Sequence, residues 1–252
     1  AAFSGPCSPA VIIRLRFTAP SCMSVTPASA AFSRADLARA QRELMRDGRW
    51  ANARVERVTL DGVQWTLKDF SGRPLLVRNT LGRFLLRREL RALQRLAGIH
   101  GVPGEAFRVD GHAIAARYLP GTILAKLPGE RISPQFLEAL EALLARIHER
   151  GIVHLDTRGG SNMLMLPDGS PGLFDFQAAL STRWMPAGMR HVLESLDLGG
   201  VYKKWALWQP QAMGAERREK FEHANRWRRA WVLRGYFGMK KKHRPGSHGA
   251  GS

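Results

Sequence analysis

The sequence predicts an α+β protein of two lobes, a small antiparallel β lobe carrying one helix and then a reduced, mainly helical lobe. Three observations carry this prediction. Two pairs of β-rich runs are each joined through an Asp-Gly turn, at Asp61-Gly62 and Asp110-Gly111. A helical repeat lies between the pairs, from Leu81 to Leu96. After the break at Pro120-Gly121 the apolar spacing becomes helical.

Residues 1–35 contain no acidic residue and are rich in Ala, Ser and Pro. That composition suits a targeting peptide, or a stretch upstream of a start at Met23, and residues 1–30 are expected to be disordered. Residues 1–32 are therefore set aside as an extension, and the β lobe is assigned to 33–119. Arg34 to Asp47 reads as a helix with Ser33 as its N-cap. Val55–Leu60 and Val63–Phe70 form the first hairpin, because Asp-Gly supplies the positive φ of a tight turn. Leu81 to Leu96 forms a helix ending near Gly98. Ala106–Val109 and His112–Leu119 form the second hairpin.

The helical lobe is assigned to 120–238. Ser133-Pro134 opens its first helix, with Ser as cap and Pro at the first helical position, and Gly151 closes it. Met163–Leu166 and Pro171–Phe174 form a third hairpin. Past Glu222 there is no acid, while Arg226, Arg228, Arg229 and Arg234 follow, with Trp227 and Trp231 four apart. Such a helix suits an anionic membrane face, with packing on the helical lobe as the alternative. The tail 239–252 is basic and expected to be disordered.

The chain has 252 residues, 44% of them hydrophobic, enough for a sizeable core. Lys and Arg number 39 against 21 Asp and Glu, a net charge of +18, which favours polyanions without choosing among them. The only cysteines, Cys7 and Cys22, lie in the extension. No disulfide framework is available to the body, and a reducing cytoplasm is the expected home. No apolar run reaches the roughly 18 residues of a membrane span.

Five residues carry chemistry. Lys68 ends an alternating strand and can point into a cleft towards phosphates; alone it reads equally as a solvated strand lysine. Glu89 is the only acid among Arg83, Arg87, Arg88, Arg91 and Arg95, 21 residues after Lys68. It can pair with that lysine, or with a neighbouring arginine. Asp156 follows His154-Leu155 in a loop and can accept or orient a hydroxyl proton. His154 is expected to support the loop. Asn162 and Asp175 stand at the two ends of the third hairpin and offer hard oxygen ligands to magnesium. Positioning and charge cancellation are what phosphoryl transfer asks of a protein.

His154-x-Asp156, Asn162 and Asp175-Phe-Gln177, with Lys68 and Glu89 upstream, together resemble the protein-kinase-like superfamily. The nearest look is to its small bacterial members, the RIO-type atypical kinases and the lipopolysaccharide-core (heptose and Kdo) kinases. The resemblance covers residues 50–200. It implies a two-lobed protein-kinase-like fold with ATP and Mg2+ in the cleft. Lys68 would be the phosphate lysine, Glu89 its partner, Asp156 the catalytic Asp, and Asn162 and Asp175 the Mg2+ ligands. Ala116 to Leu119 would be the hinge, with the backbone at Arg117, Tyr118 and Leu119 receiving adenine.

The sequence departs from the pattern in three places. No Gly-x-Gly-x-x-Gly loop precedes Lys68, the Asp156-to-Asn162 interval is six residues, and Gln177 replaces the usual glycine. No Ala-Pro-Glu follows, so a peptide-substrate platform is not expected. The expected activity is transfer of the γ-phosphate of ATP to a hydroxyl, on a lipopolysaccharide-core sugar or lipid or on a protein Ser/Thr. The alternatives are a nucleotide-binding pseudokinase and a RIO-like, RNA- or ribosome-associated kinase. Nucleic acid is not expected as the main partner. The localisation read from this is cytoplasmic, with a peripheral place at the inner membrane face for the basic end.

Overall fold

A computed structural model describes residues 32–230. The expectations for 1–31, for Trp231 and for the 239–252 tail fall outside those residues, as does the side chain of Trp227.

A five-stranded antiparallel sheet fills the first lobe. It is built from β1 (Gln41–Arg46), β2 (Arg54–Leu60), β3 (Val63–Asp69), β4 (Ala106–Arg108) and β5 (Ala113–Arg117). Their order across the sheet is β1-β2-β3-β5-β4. Asp61 and Gly62 take φ of 49° and 76°, so the β2–β3 turn is the tight positive-φ turn that Asp-Gly favours. Phe32, Trp65 and Phe107 pack edge to face, with centroids 5.0 to 5.8 Å apart, and anchor the outer core of this sheet.

The helix expected over Arg34–Asp47 does not form. Ala35–Ala38 makes one 3-10 turn and Gln41–Arg46 is a strand. Ser33 does not cap it; its backbone N–H and hydroxyl both donate to the Asp36 carboxylate. The stretch holds good helix formers, but pairing with β2 from Gln41↔Thr59 to Arg46↔Val55 overrides that weak preference.

A short helix α1 (Leu75–Val77) runs through a π turn into α2 (Arg83–Leu96). Leu85, Leu86 and Leu90 of α2 pack with Phe70 and Ile114 of the sheet lobe. Leu93 and Leu96, one to two turns on, belong instead to the core of the helical lobe. One amphipathic helix thus serves both lobes.

The chain crosses over at Arg117–Gly121 into β6 (Thr122–Ile123) and then α3 (Pro134–Glu149). The Ser133 hydroxyl accepts from the Phe136 N–H at 3.1 Å, the cap read from the sequence. Leu137, Leu140, Leu144 and Ile147 of α3 are fully buried, each contributing about 1.5–3 kcal/mol. Then come β7 (Ile152–Val153), β8 (Met163–Met165), β9 (Pro171–Leu173) and β10 (Leu180–Ser181). Two long helices close the lobe, α4 (Ala187–Trp208) and α5 (Gly214–Ala230). The observed class is the expected α+β, an antiparallel sheet lobe followed by a helical one.

A second connection joins the lobes. The Leu173 N–H donates to the Gly101 carbonyl at 2.7 Å, and the His100 ring meets the Ser170 hydroxyl at 2.9 Å. Gly101 lies at φ 90°, and a Cβ there would stand 2.5 Å from the Pro171 carbonyl oxygen. The loop after α2 is therefore clamped onto the β8–β9 hairpin. Among the described residues no helix is long and apolar enough to cross a membrane.

Candidate active site

β3 delivers Lys68 to the space between the lobes. Its register sets Lys68 opposite Val55 on one side and Ile114 on the other, so the lysine sits in the middle of the sheet. Its ammonium donates to Glu89 Oε1 and to Asp175 Oδ1, each at 2.6 Å. The three groups come from a strand, a helix and the end of a hairpin, 21 and 107 residues apart. Burial pulls the Lys68 pKa down, but the two carboxylates outweigh it and hold the ammonium above the ordinary lysine value. Burial would raise Asp175, yet Lys68 and Arg46 keep it below the usual carboxylate range. Glu89 is raised, by burial first and by the charge of Asp175, with Lys68 offsetting only part. One cation is thus shared between two acids, at 2.6 Å from each.

Asp175 adopts the left-handed conformation, φ 63° and ψ 63°, directly after β9. Asp tolerates this region better than most residues. At the other end of the hairpin, the Asn162 carbonyl accepts from the Phe174 N–H at 3.1 Å, which sets Asn162 beside Asp175. The Asn162 side-chain N–H donates to Asp156 Oδ2 at 2.7 Å and to the Asp156 carbonyl at 3.3 Å. With the amide so oriented, its oxygen is left for another partner. Asp156 is an exposed residue, but partial desolvation of its carboxyl raises its pKa, with help from Asp175 and Asp197; the Asn162 bond and His154 work against it, and the net direction is up.

His154 is fully buried. Its Nε2 meets the Phe174 carbonyl at 3.0 Å, its Nδ1 accepts from the Asp156 N–H at 3.3 Å, and its ring packs on Phe176. It ties the loop to the hairpin.

The sequence reading missed Asp197. This α4 carboxylate has no exposure. It accepts from the His154 N–H and the Leu155 N–H, each at 2.6 Å, and lies 3.1 Å from His148 Nε2. Its backbone carbonyl accepts from the Thr157 hydroxyl at 2.8 Å. Leu155 itself is held at φ 62°. At Gly200 a Cβ would stand 2.1 Å from the Thr157 hydroxyl oxygen, so only glycine lets the loop lie this close to the helix. A signal was present: Leu193, Asp197, Val201 and Trp205 recur every four residues and are all buried. A buried acid on such a stripe must have partners.

A cavity of about 410 Å3 opens between the lobes. Lys68, Glu89, Asn162 and Asp175 line its polar end, and Ala116, Leu119 and Leu164 are among its apolar neighbours. Tyr118 and Leu119 of the expected hinge line it; Arg117 does not. The Arg117 guanidinium stacks over Trp65 at 4.5 Å and pairs with Glu105 at 2.9 Å, and its N–H is spent on the Glu105 carbonyl. Asp156 is likewise outside the lining and is tied to it through Asn162.

The end of β1, where the chain turns towards β2, borders the cavity. Met45 and Arg46 line it, and the Arg46 guanidinium lies 3.7 Å from Asp175. An Arg73–Asp47 pair at 2.7 Å pins the turn down. These residues were read as helix end and escaped notice. The Asp175 carboxylate and the Asn162 amide oxygen are hard donors that could hold Mg2+, an ion that binds through one or two carboxylates and completes its shell with phosphate and water.

No protein-family model matches the chain, and no curated protein matches it in sequence. Among solved structures, the Rio2 kinase from Chaetomium thermophilum is similar. Its ADP/Mg2+-phosphoaspartate complex aligns with TM-score 0.49 and 16% identity, covering 76% of this chain and 71% of that one. Another structure of the same kinase gives TM-score 0.49 and 15% identity, covering 76% and 73%.

Proposed function

We propose that the cleft binds ATP with Mg2+ and transfers its γ-phosphate to a hydroxyl group. One observation carries the reading: Lys68, Glu89, Asp175 and Asn162 converge on one cavity, and Asn162 is bonded to a carboxylate of raised pKa, Asp156. Lys68 would leave Asp175 for the nucleotide phosphates while Glu89 keeps it straight. Asn162 and Asp175 would hold Mg2+, which neutralises charge developing on the phosphates. The apolar lining at Ala116, Leu119 and Leu164 suits a purine, with Tyr118 and Leu119 at its edge. In place of a Gly-rich loop, the β1–β2 turn would cover the phosphates, with Arg46 as its charge.

Asp156 would take the proton of the acceptor hydroxyl as the new oxygen–phosphorus bond forms and the bond from the β-phosphate oxygen breaks. A raised pKa brings its basicity closer to that task. The acceptor belongs to a lipopolysaccharide-core sugar or lipid, or to a protein Ser/Thr. A nucleotide-binding pseudokinase is the second reading. It is favoured by the single glycine, Gly48, in the β1–β2 turn.

The test is a thermal shift with ATP plus Mg2+ and with ATP plus EDTA, on wild type, Asp175→Ala and Asp156→Asn, followed by an ATP-consumption assay with core sugars as acceptors. A Mg2+-dependent rise absent from Asp175→Ala, with turnover lost in Asp156→Asn, is the expected result. Stabilisation of wild type without turnover on any acceptor selects the pseudokinase. No stabilisation of wild type overturns the nucleotide site.

A further inference from the structure

A second cavity, of about 810 Å3, lies where the end of α3 meets the residues after β10. It shares no lining residue with the cleft. Four arginines from four segments line it: Arg95 at the end of α2, Arg150 after α3, Arg183 after β10 and Arg190 in α4. Among the described residues no carboxylate pairs with Arg95, Arg150 or Arg183. Arg190 has only a loose contact with Glu194, at 3.8 Å. Arg150 and Arg95 are held together, since Arg150 Nη1 donates to the Arg95 carbonyl at 3.2 Å. Four like charges gathered at one cavity repel, and an anion relieves that repulsion.

Thr182 is an independent sign. It lines this cavity, is 1% exposed, and its hydroxyl oxygen has no hydrogen-bond partner. Buried hydroxyls are nearly always satisfied, so an orphan in the same lining as four arginines points to a partner that the chain does not supply. The size of the space and its lining say more. It is far larger than a bare phosphate, and apart from Ala145 and Gly151 every lining residue is polar. Glu149 and Glu194 offer acceptors that a phosphate would avoid and hydroxyl groups would seek.

We propose that this second cavity binds a phosphomonoester with a hydroxyl-bearing body, of the sugar-phosphate class. The guanidiniums of Arg95, Arg150, Arg183 and Arg190 hold the phosphate, the Thr182 hydroxyl gains a partner, and Glu149 and Glu194 accept from the body. The source is a free metabolite or the phosphorylated end of a larger glycan.

Calorimetric titration of the full chain with glucose 6-phosphate, inorganic phosphate and glucose, at 0.15 M salt, tests this. Saturable binding of glucose 6-phosphate is expected, at least tenfold tighter than inorganic phosphate, with no heat from glucose. Arg183→Ala should weaken it tenfold or more, while Asp175→Asn in the cleft should leave it unchanged. Thr182→Val, nearly the same shape, should raise the melting temperature of the free protein and still weaken binding. No saturable binding overturns the site, as does binding lost in Asp175→Asn and kept in Arg183→Ala. Equal affinity for phosphate and glucose 6-phosphate overturns the assignment of a hydroxyl-bearing body. A reducing-end phosphorylated oligosaccharide, titrated in parallel, separates the two sources by which binds tighter.

Discussion

The two lobes hold their functional groups by different means. The sheet lobe fixes Lys68 by charge against charge: one buried ammonium lies between the buried Glu89 carboxylate and the half-buried Asp175 carboxylate. The helical lobe fixes Asp156 by hydrogen bonds to the backbone, with Asp197 gripping the two amides just before it. The first arrangement is an ion-pair relay that the proposed nucleotide would rearrange, Lys68 exchanging Asp175 for a phosphate and keeping Glu89. The second is a rigid mount with no spare valence, since every oxygen of Asp197 is engaged. The difference teaches that the movable charges and the fixed loop are built separately and should fail separately.

The sharpest way to break the contrast is Asp197→Ala. It strips partners from one buried and one part-buried amide, and a loss of about 3–5 kcal/mol in urea unfolding is expected. Asp156→Asn keeps the Asn162 contact and the fold but should cut phosphate transfer by about a hundredfold or more, with nucleotide-dependent thermal stabilisation retained. Glu89→Gln acts on the relay. Lys68 keeps Asp175, so the chain should fold, while ATP affinity measured by titration drops by about tenfold, the worth of one charge-assisted bond.

Two pH profiles sharpen the comparison further. The folded pKa of Asp156 is raised, so the acid limb of turnover should fall at a pH above that of an ordinary aspartate, about 3.9. The smallest effect is at Lys204, whose pKa is lowered to about 8 by burial and by Lys203 and Arg158. A lysine depressed in the folded state disfavours folding while charged. Stability should therefore rise from about pH 8 towards the unfolded value, and Lys204→Met should flatten that rise in thermal melts. Its ammonium also donates to the Arg158 carbonyl at 2.6 Å, so the same variant reports on the loop.

Much of the sheet lobe was legible because its signals are local. Asp61-Gly62 allows few turns, and Ser133-Pro134 starts a helix for reasons contained in two residues. Lys68, Glu89, Asn162 and Asp175 were singled out by residue type and order, and the fold brings those four to one cavity. The strand Gln41–Arg46 was not legible, because every residue in it is exposed and no alternation exists to betray it. Its identity comes from its neighbour β2. Asp197 was missed for another reason: its partners lie 42 and 43 residues away, and no local pattern states that distance. The side chain of Arg117, in the expected hinge, is turned by strand alternation onto Trp65, a placement that only the neighbouring strand dictates.

The clamp at Gly101 has a mechanical consequence. The lobes are connected covalently at the crossover after β5 and again by the Leu173–Gly101 hydrogen bond on the far side of the cavity. Arg88 of α2 donates to the Gln177 carbonyl and Arg95 to the Ser181 hydroxyl, each at 2.8 Å, so α2 and the loop after it travel with the helical lobe. Opening of the cleft would then be a sliding of the sheet over α2, and a residue larger than glycine at 101 would detach the loop from the hairpin and loosen that frame.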